Sequence, residues 1–149
     1  MRKISSHQGF SLLELLIVVA IILMIATTIR SSSLLRSRQA ANKSAAVSTL
    51  KNVNAAQTTY LSTNGTFGSL RNFSAGGMLD VRFTGNGSTL AGYVYSVYGG
   101  GTGDYTVSAV ATGTQGRYNY YSGVDFVVRY RAAAGEILPA GVTAGDPVG

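Results

Sequence analysis

The sequence predicts an α+β chain: a long N-terminal helix packed on a small antiparallel β-sheet head. Three observations carry this. Residues 10 to 64 contain neither Gly nor Pro. Every glycine except Gly9 lies at Gly65 or later. All nine tyrosines lie at Tyr60 or later. Gly and Pro disfavour helix interiors, and Tyr and Val favour strands. Four segments follow: 1–9, a leader; 10–30, an apolar helix; 31–64, its polar continuation; and 65–149, a β-rich head.

The apolar segment comes first. Residues 10–29 read FSLLELLIVVAIILMIATTI, with no charge from Leu15 to Ile29. Twenty helical residues rise about 30 Å, the thickness of a bilayer's hydrocarbon core. Arg2 and Lys3 precede the segment; Arg30, Arg36, Arg38 and Lys43 follow it. A secretory signal peptide, a plain membrane anchor and a buried core helix all begin from such a run. A signal peptide would end in a small-x-small cleavage site before a turn, whereas this segment runs straight into further helix-forming sequence. A core helix would need a head large enough to enclose apolar residues on every side. Glu14 stands out, because a carboxylate in an apolar span is costly and asks for a named partner. It also lies close enough to the segment's start to reach the near interface by snorkelling.

The polar continuation carries a stripe. Ala46, Leu50, Val53, Gln57, Tyr60 and Leu61 fall on one helical face, with Val47 beside it, as expected for a helix lying on a sheet. Asn64-Gly65 is a good C-terminal stop. Residues 65–90 read as a Gly/Ser/Asn-rich connection with a short element near Met78 to Phe83. Strands are expected at Tyr93–Tyr98, Asp104–Ala111, Arg117–Ser122 and Asp125–Arg131, each short and bounded by Gly. This gives a sheet of three or four strands, with a tight turn at Ser122-Gly123. The tail from Glu136 to Gly149 reads as irregular. The tyrosines are expected to serve strand packing and cross-strand pairs.

Charge is uneven. The net charge is +6. Residues 1–51 hold seven Lys/Arg against Glu14 alone, while residues 52–149 hold five of each sign. A basic chain invites a nucleic-acid reading, but here the excess flanks the apolar run, as membrane flanks and a solvated helix face do. With no cysteine there is no disulfide and no thiolate chemistry. His7, the single histidine, lies in the leader. Asp104, Asp125 and Asp146 match no calcium-loop spacing. No catalytic set, cofactor motif or metal site is marked in the sequence.

The string Gly9-Phe10-Ser11-Leu12-Leu13-Glu14, after Arg2-Lys3 and before the apolar run, resembles the N-terminal signature of type IV prepilins and type II secretion pseudopilins. The resemblance covers about residues 1–30 and is specific. It implies cleavage after Gly9 by a prepilin peptidase, N-methylation of the new N-terminus at Phe10, and a pilin-like fold. It assigns Glu14 to subunit assembly. Cleavage frees an α-amine, largely protonated near neutral pH. Four residues on, Glu14 sits about 6 Å along a helix, so a staggered neighbour can bring its amine to this carboxylate; a contact within one subunit is the alternative at i, i+4.

The implied partners are copies of the chain and related pilins in a filament, the peptidase, an inner-membrane assembly platform, and membrane lipid before assembly. Basic-residue counting would orient the segment the other way round. The resemblance implies a cytoplasmic N-terminus in the inner membrane and an exported head, ending in a periplasmic pseudopilus or an extracellular pilus. A minor or tip subunit that binds DNA, a surface or secreted cargo is the alternative; an intact Glu14 favours the filament body. Many members carry a proline about twenty residues into the mature helix. Here that region reads Thr27-Thr28-Ile29-Arg30-Ser31-Ser32-Ser33, where hydroxyl back-bonding allows at most a mild bend.

Overall fold

The computed structural model describes residues 10–28, 32–131 and 145–148. The chain divides into two compact units, residues 1–34 and 35–149. The fold is α+β: a long N-terminal helical region followed by a small antiparallel sheet of six strands.

Helix α1 runs Leu12–Thr28 and α2 runs Ser32–Asn64. The expected start at Phe10 is corrected to Leu12. The Ser11 carbonyl is the first acceptor, bonded by the amides of Glu14 (3.0 Å) and Leu15 (3.2 Å), so Phe10 precedes the first turn. The hydroxyl-rich region read as a mild bend includes residues 29–31, which lie outside the described residues. In the last turns of α2, Thr58, Thr59 and Thr63 hydroxyls bond back to the carbonyls of Asn54, Ala55 and Thr59. The helix ends at Asn64, where Gly65 takes φ +71° and donates to the Leu61 carbonyl.

A short helix, α3 (Leu70–Ala75), lies in the segment read as connection. Ser69 caps it by accepting from the Asn72 amide, and Leu70 and Phe73 are buried. Met78–Phe83 forms no strand. Asp80 holds a turn there, its carbonyl accepting from the Phe83 amide and its carboxylate from the Arg82 amide.

The strands are β1 (Ser88–Leu90), β2 (Tyr93–Gly99), β3 (Tyr105–Ala111), β4 (Asn119–Gly123), β5 (Arg129–Arg131) and β6 (Asp146–Pro147). They pair antiparallel in sequence order, with Tyr93 opposite Ala111 and Ala109 opposite Tyr120. Six strands replace the expected three or four. Strand β1 was hidden because its two-residue turn to β2 is Ala91-Gly92, both at positive φ, where Ala is an unusual occupant. Strand β5 is shorter than expected because residues 124–128 form a loop, with Phe126 at φ +59°. Strand β6 belongs to the tail read as irregular. It is an edge strand, the one sheet position that tolerates Pro147.

The core lies between α2 and the sheet. Ala46, Leu50 and Val53 of α2 are buried with Tyr93, Tyr95, Tyr105, Val107 and Tyr120. Ring pairs knit it: Tyr93–Tyr120 at 5.8 Å, Phe83–Tyr95 at 5.5 Å and Phe67–Tyr105 at 4.8 Å between centroids. Strand tyrosines therefore act as core, as the sequence predicts.

Candidate assembly site

Of the three residues singled out by the sequence, Gly9 lies outside the described residues. Phe10 is exposed and lies just before α1. Glu14 is exposed in the first turn of α1. An acid there lies at the positive end of the helix dipole. The two salt bridges among the described residues, Arg82–Asp80 and Arg129–Asp125, lie elsewhere. The carboxylate of Glu14 is thus open to a partner outside this chain.

Every large apolar side chain from Phe10 to Ile25 is exposed, ranging from 46% at Val19 to 82% at Leu12. Exposure goes all the way round α1, so no face has been set aside for a core. Each square ångström of such surface left in water costs about 25 cal/mol, so the segment demands cover. Among the described residues no helix is long and apolar enough to cross a membrane; α1 is described over 17 residues.

The head supplies a second set of side chains. Three adjoining grooves share Lys43. One, of about 220 Å³, is lined by Arg36, Lys43, Arg117, Tyr118 and Tyr120 with Gln39 and Ala40. Arg36, Gln39, Ala40 and Lys43 share one face of α2 at i, i+3, i+4 and i+7. Arg117 comes from the β3–β4 loop, which α2 holds by two bonds: Gln39 Nε2 to the Thr114 carbonyl (2.8 Å) and Asn42 Nδ2 to the Gln115 carbonyl (2.9 Å). Gly116 lets that loop lie on Tyr93, since a Cβ there would stand 2.2 Å from the Tyr93 hydroxyl oxygen. The sequence marked Arg36 and Lys43 only as a flank, and nothing in it joins Arg117 to them.

The acids of the head are placed apart. Hydrogen bonds from the Arg82 side chain and amide hold the Asp80 carboxyl at about 2. A hydrogen bond from Arg129 likewise holds Asp125 below the usual carboxylate range. Burial pushes the Tyr93 and Tyr105 hydroxyls well above the ordinary phenol range, as expected for core rings. Asp104, Asp125 and Asp146 are not gathered into a group able to hold a metal ion among the described residues.

A family model, the prokaryotic N-terminal methylation motif, matches residues 4–29. Residues 4–29 carry the prepilin-type signature. No curated protein matches the chain significantly. The signature covers the Gly9–Phe10 junction, Glu14 and all of α1. It supports a type IV pilin- or pseudopilin-type precursor, and with it a structural subunit over an enzyme. It implies processing by a prepilin peptidase, membrane-associated export and assembly into filaments.

Proposed function

We propose that this chain is a structural subunit of a type IV pilus or pseudopilus, cut after Gly9, N-methylated at Phe10, and assembled through α1. The exposed apolar surface around the whole of α1, broken by one acid in its first turn, carries the reading. Residues 10–30 cross the inner membrane before assembly, with the N-terminus cytoplasmic and the head exported. On assembly, neighbouring helices replace lipid as the cover. Cleavage makes the amine of Phe10, and Glu14 of a staggered neighbour accepts it. In low dielectric each charge offsets the other's desolvation, which neither bears well alone. Such a pair fixes the axial register of helices that otherwise slide.

The test is the intact mass and N-terminal sequence of the membrane-extracted chain. A start at Phe10 with one added methyl is expected. A start at Met1 would overturn the processing, and with it the role of Glu14. Gly9→Val should leave the leader attached, because the peptidase needs an unobstructed extended backbone there.

A further inference from the structure

We infer that the groove of Arg36, Lys43 and Arg117 binds the phosphate of an anionic phospholipid headgroup. The inference rests on the proposed membrane residence of residues 10–30 and extends it to the head. The three cations come from two elements and converge on one concavity. Among the described residues, no acid lines this groove or the two that adjoin it at Lys43. Both ion-paired acids of the described residues, Asp80 and Asp125, are spent on Arg82 and Arg129. The site therefore presents positive charge with no counter-charge among its described lining residues.

Its geometry is fixed. Gln39 and Asn42 fasten the β3–β4 loop to α2, and the Tyr93 hydroxyl donates to the Tyr118 carbonyl (3.2 Å), so Arg117 is held beside the helix face. A guanidinium and an ammonium on a fixed frame suit a phosphate, the first by paired donors and the second as a point charge.

Position selects the source of the phosphate. Arg36 follows the end of α1 by eight residues in sequence, from Thr28 to Arg36. On the proposed reading Arg36 is therefore juxtamembrane in sequence. Basic clusters beside a membrane segment attract anionic lipid by roughly fivefold per Lys or Arg.

The aromatic groups argue against single-stranded nucleic acid. Base stacking needs an open ring face. Tyr120 is buried, and the Tyr118 ring is already covered by the Arg117 guanidinium at 5.4 Å and by the Tyr130 ring at 5.1 Å.

The experiment uses the full-length chain reconstituted in phosphatidylcholine vesicles, with spin-labelled phosphatidylglycerol or phosphatidylcholine as probe. The wild-type chain should prefer phosphatidylglycerol. Lys43→Gln with Arg117→Gln should reduce that preference by at least fivefold. Arg38→Gln with Arg71→Gln removes the same charge from exposed sites outside the groove, and should leave most of the preference. Equal losses in the two variants would overturn the groove in favour of diffuse charge. Insertion without any headgroup preference would overturn it alone, leaving the membrane reading intact. Failure to insert in either vesicle would overturn both. Displacement of the probe by millimolar inorganic phosphate would make the free ion the ligand and refute the lipid assignment. Displacement by a DNA oligonucleotide at lower concentration than phosphatidylglycerol would assign the groove to nucleic acid instead.

Discussion

Asn54→Ala should unfold the head at markedly lower temperature, although the residue sits in the middle of a helix. Asn54 is buried beneath the sheet. Its amide donates to Ser122 Oγ at 2.8 Å and to the Phe126 carbonyl at 3.3 Å, and its carbonyl oxygen accepts the Tyr105 hydroxyl at 2.9 Å. These bonds tie α2 to β3, β4 and the strained β4–β5 loop. Truncation leaves the Tyr105 hydroxyl and Ser122 Oγ without this partner inside a packed core. Each orphaned buried group costs about 1–3 kcal/mol. Alanine's better helix propensity returns only about half a kcal/mol. The net loss is about 3 kcal/mol, which for a head of this size lowers the midpoint by roughly 10 °C. Scanning calorimetry of the full chain in detergent measures it. Asn42→Ala is the control, because its bonds to Gln115 are exposed and water replaces them. A midpoint for Asn54→Ala within about 3 °C of wild type, or no lower than that of Asn42→Ala, would refute the network's role.

Three further predictions follow from named contacts. Glu14→Ala should insert and be cleaved normally yet yield few filaments in sheared surface or periplasmic fractions; normal yield would sink the amine–carboxylate pairing. Gly116→Val should destabilise the head by about 2 kcal/mol or more, because its Cβ would collide with the Tyr93 hydroxyl and lift the β3–β4 loop; an unchanged melting midpoint would show that the loop shifts freely. Asp125 has its folded-state pKa depressed by Arg129, so its contribution is complete above about pH 4 and fades as pH falls through the lower folded value. Asp125→Asn should thus cost stability at pH 7 and lessen the loss of stability on acidification; parallel pH profiles for variant and wild type would refute this.

What was legible in the sequence was whatever rests on one local rule. The break-free run ending at Asn64-Gly65 gave the helical region. Val and Tyr between glycines gave β2 and β3 to within a residue of their ends. The stripe through Ala46, Leu50, Val53 and Gln57 is buried. Asn54 escaped because a polar residue beside an apolar stripe reads as its solvent edge; only the approach of Ser122 and Tyr105 makes it core. Strands β1 and β6 escaped because each borrows its pairing from a neighbour: three residues behind an Ala-Gly turn, and an Asp-Pro step that no local rule would place in a sheet. Helix α3 escaped because its six residues form around one Ser cap inside a Gly-rich stretch. At the candidate site, Gly9, Phe10 and Glu14 were visible as a contiguous string. Arg117 was not, since it meets Arg36 and Lys43 only when the β3–β4 loop closes on α2.

A helix apolar on every side binds its surroundings well but carries no angular or axial address. Leu, Ile and Val repeat so evenly from Leu15 to Ile25 that sliding by one turn changes little. On the proposed reading, address must come from the few polar groups at the ends of that surface. Glu14 supplies one at the start. Further along the sequence, α2 contains no acid between Ser32 and Asn64. A copy out of step would leave the Glu14 carboxylate and a neighbour's amine unpaired.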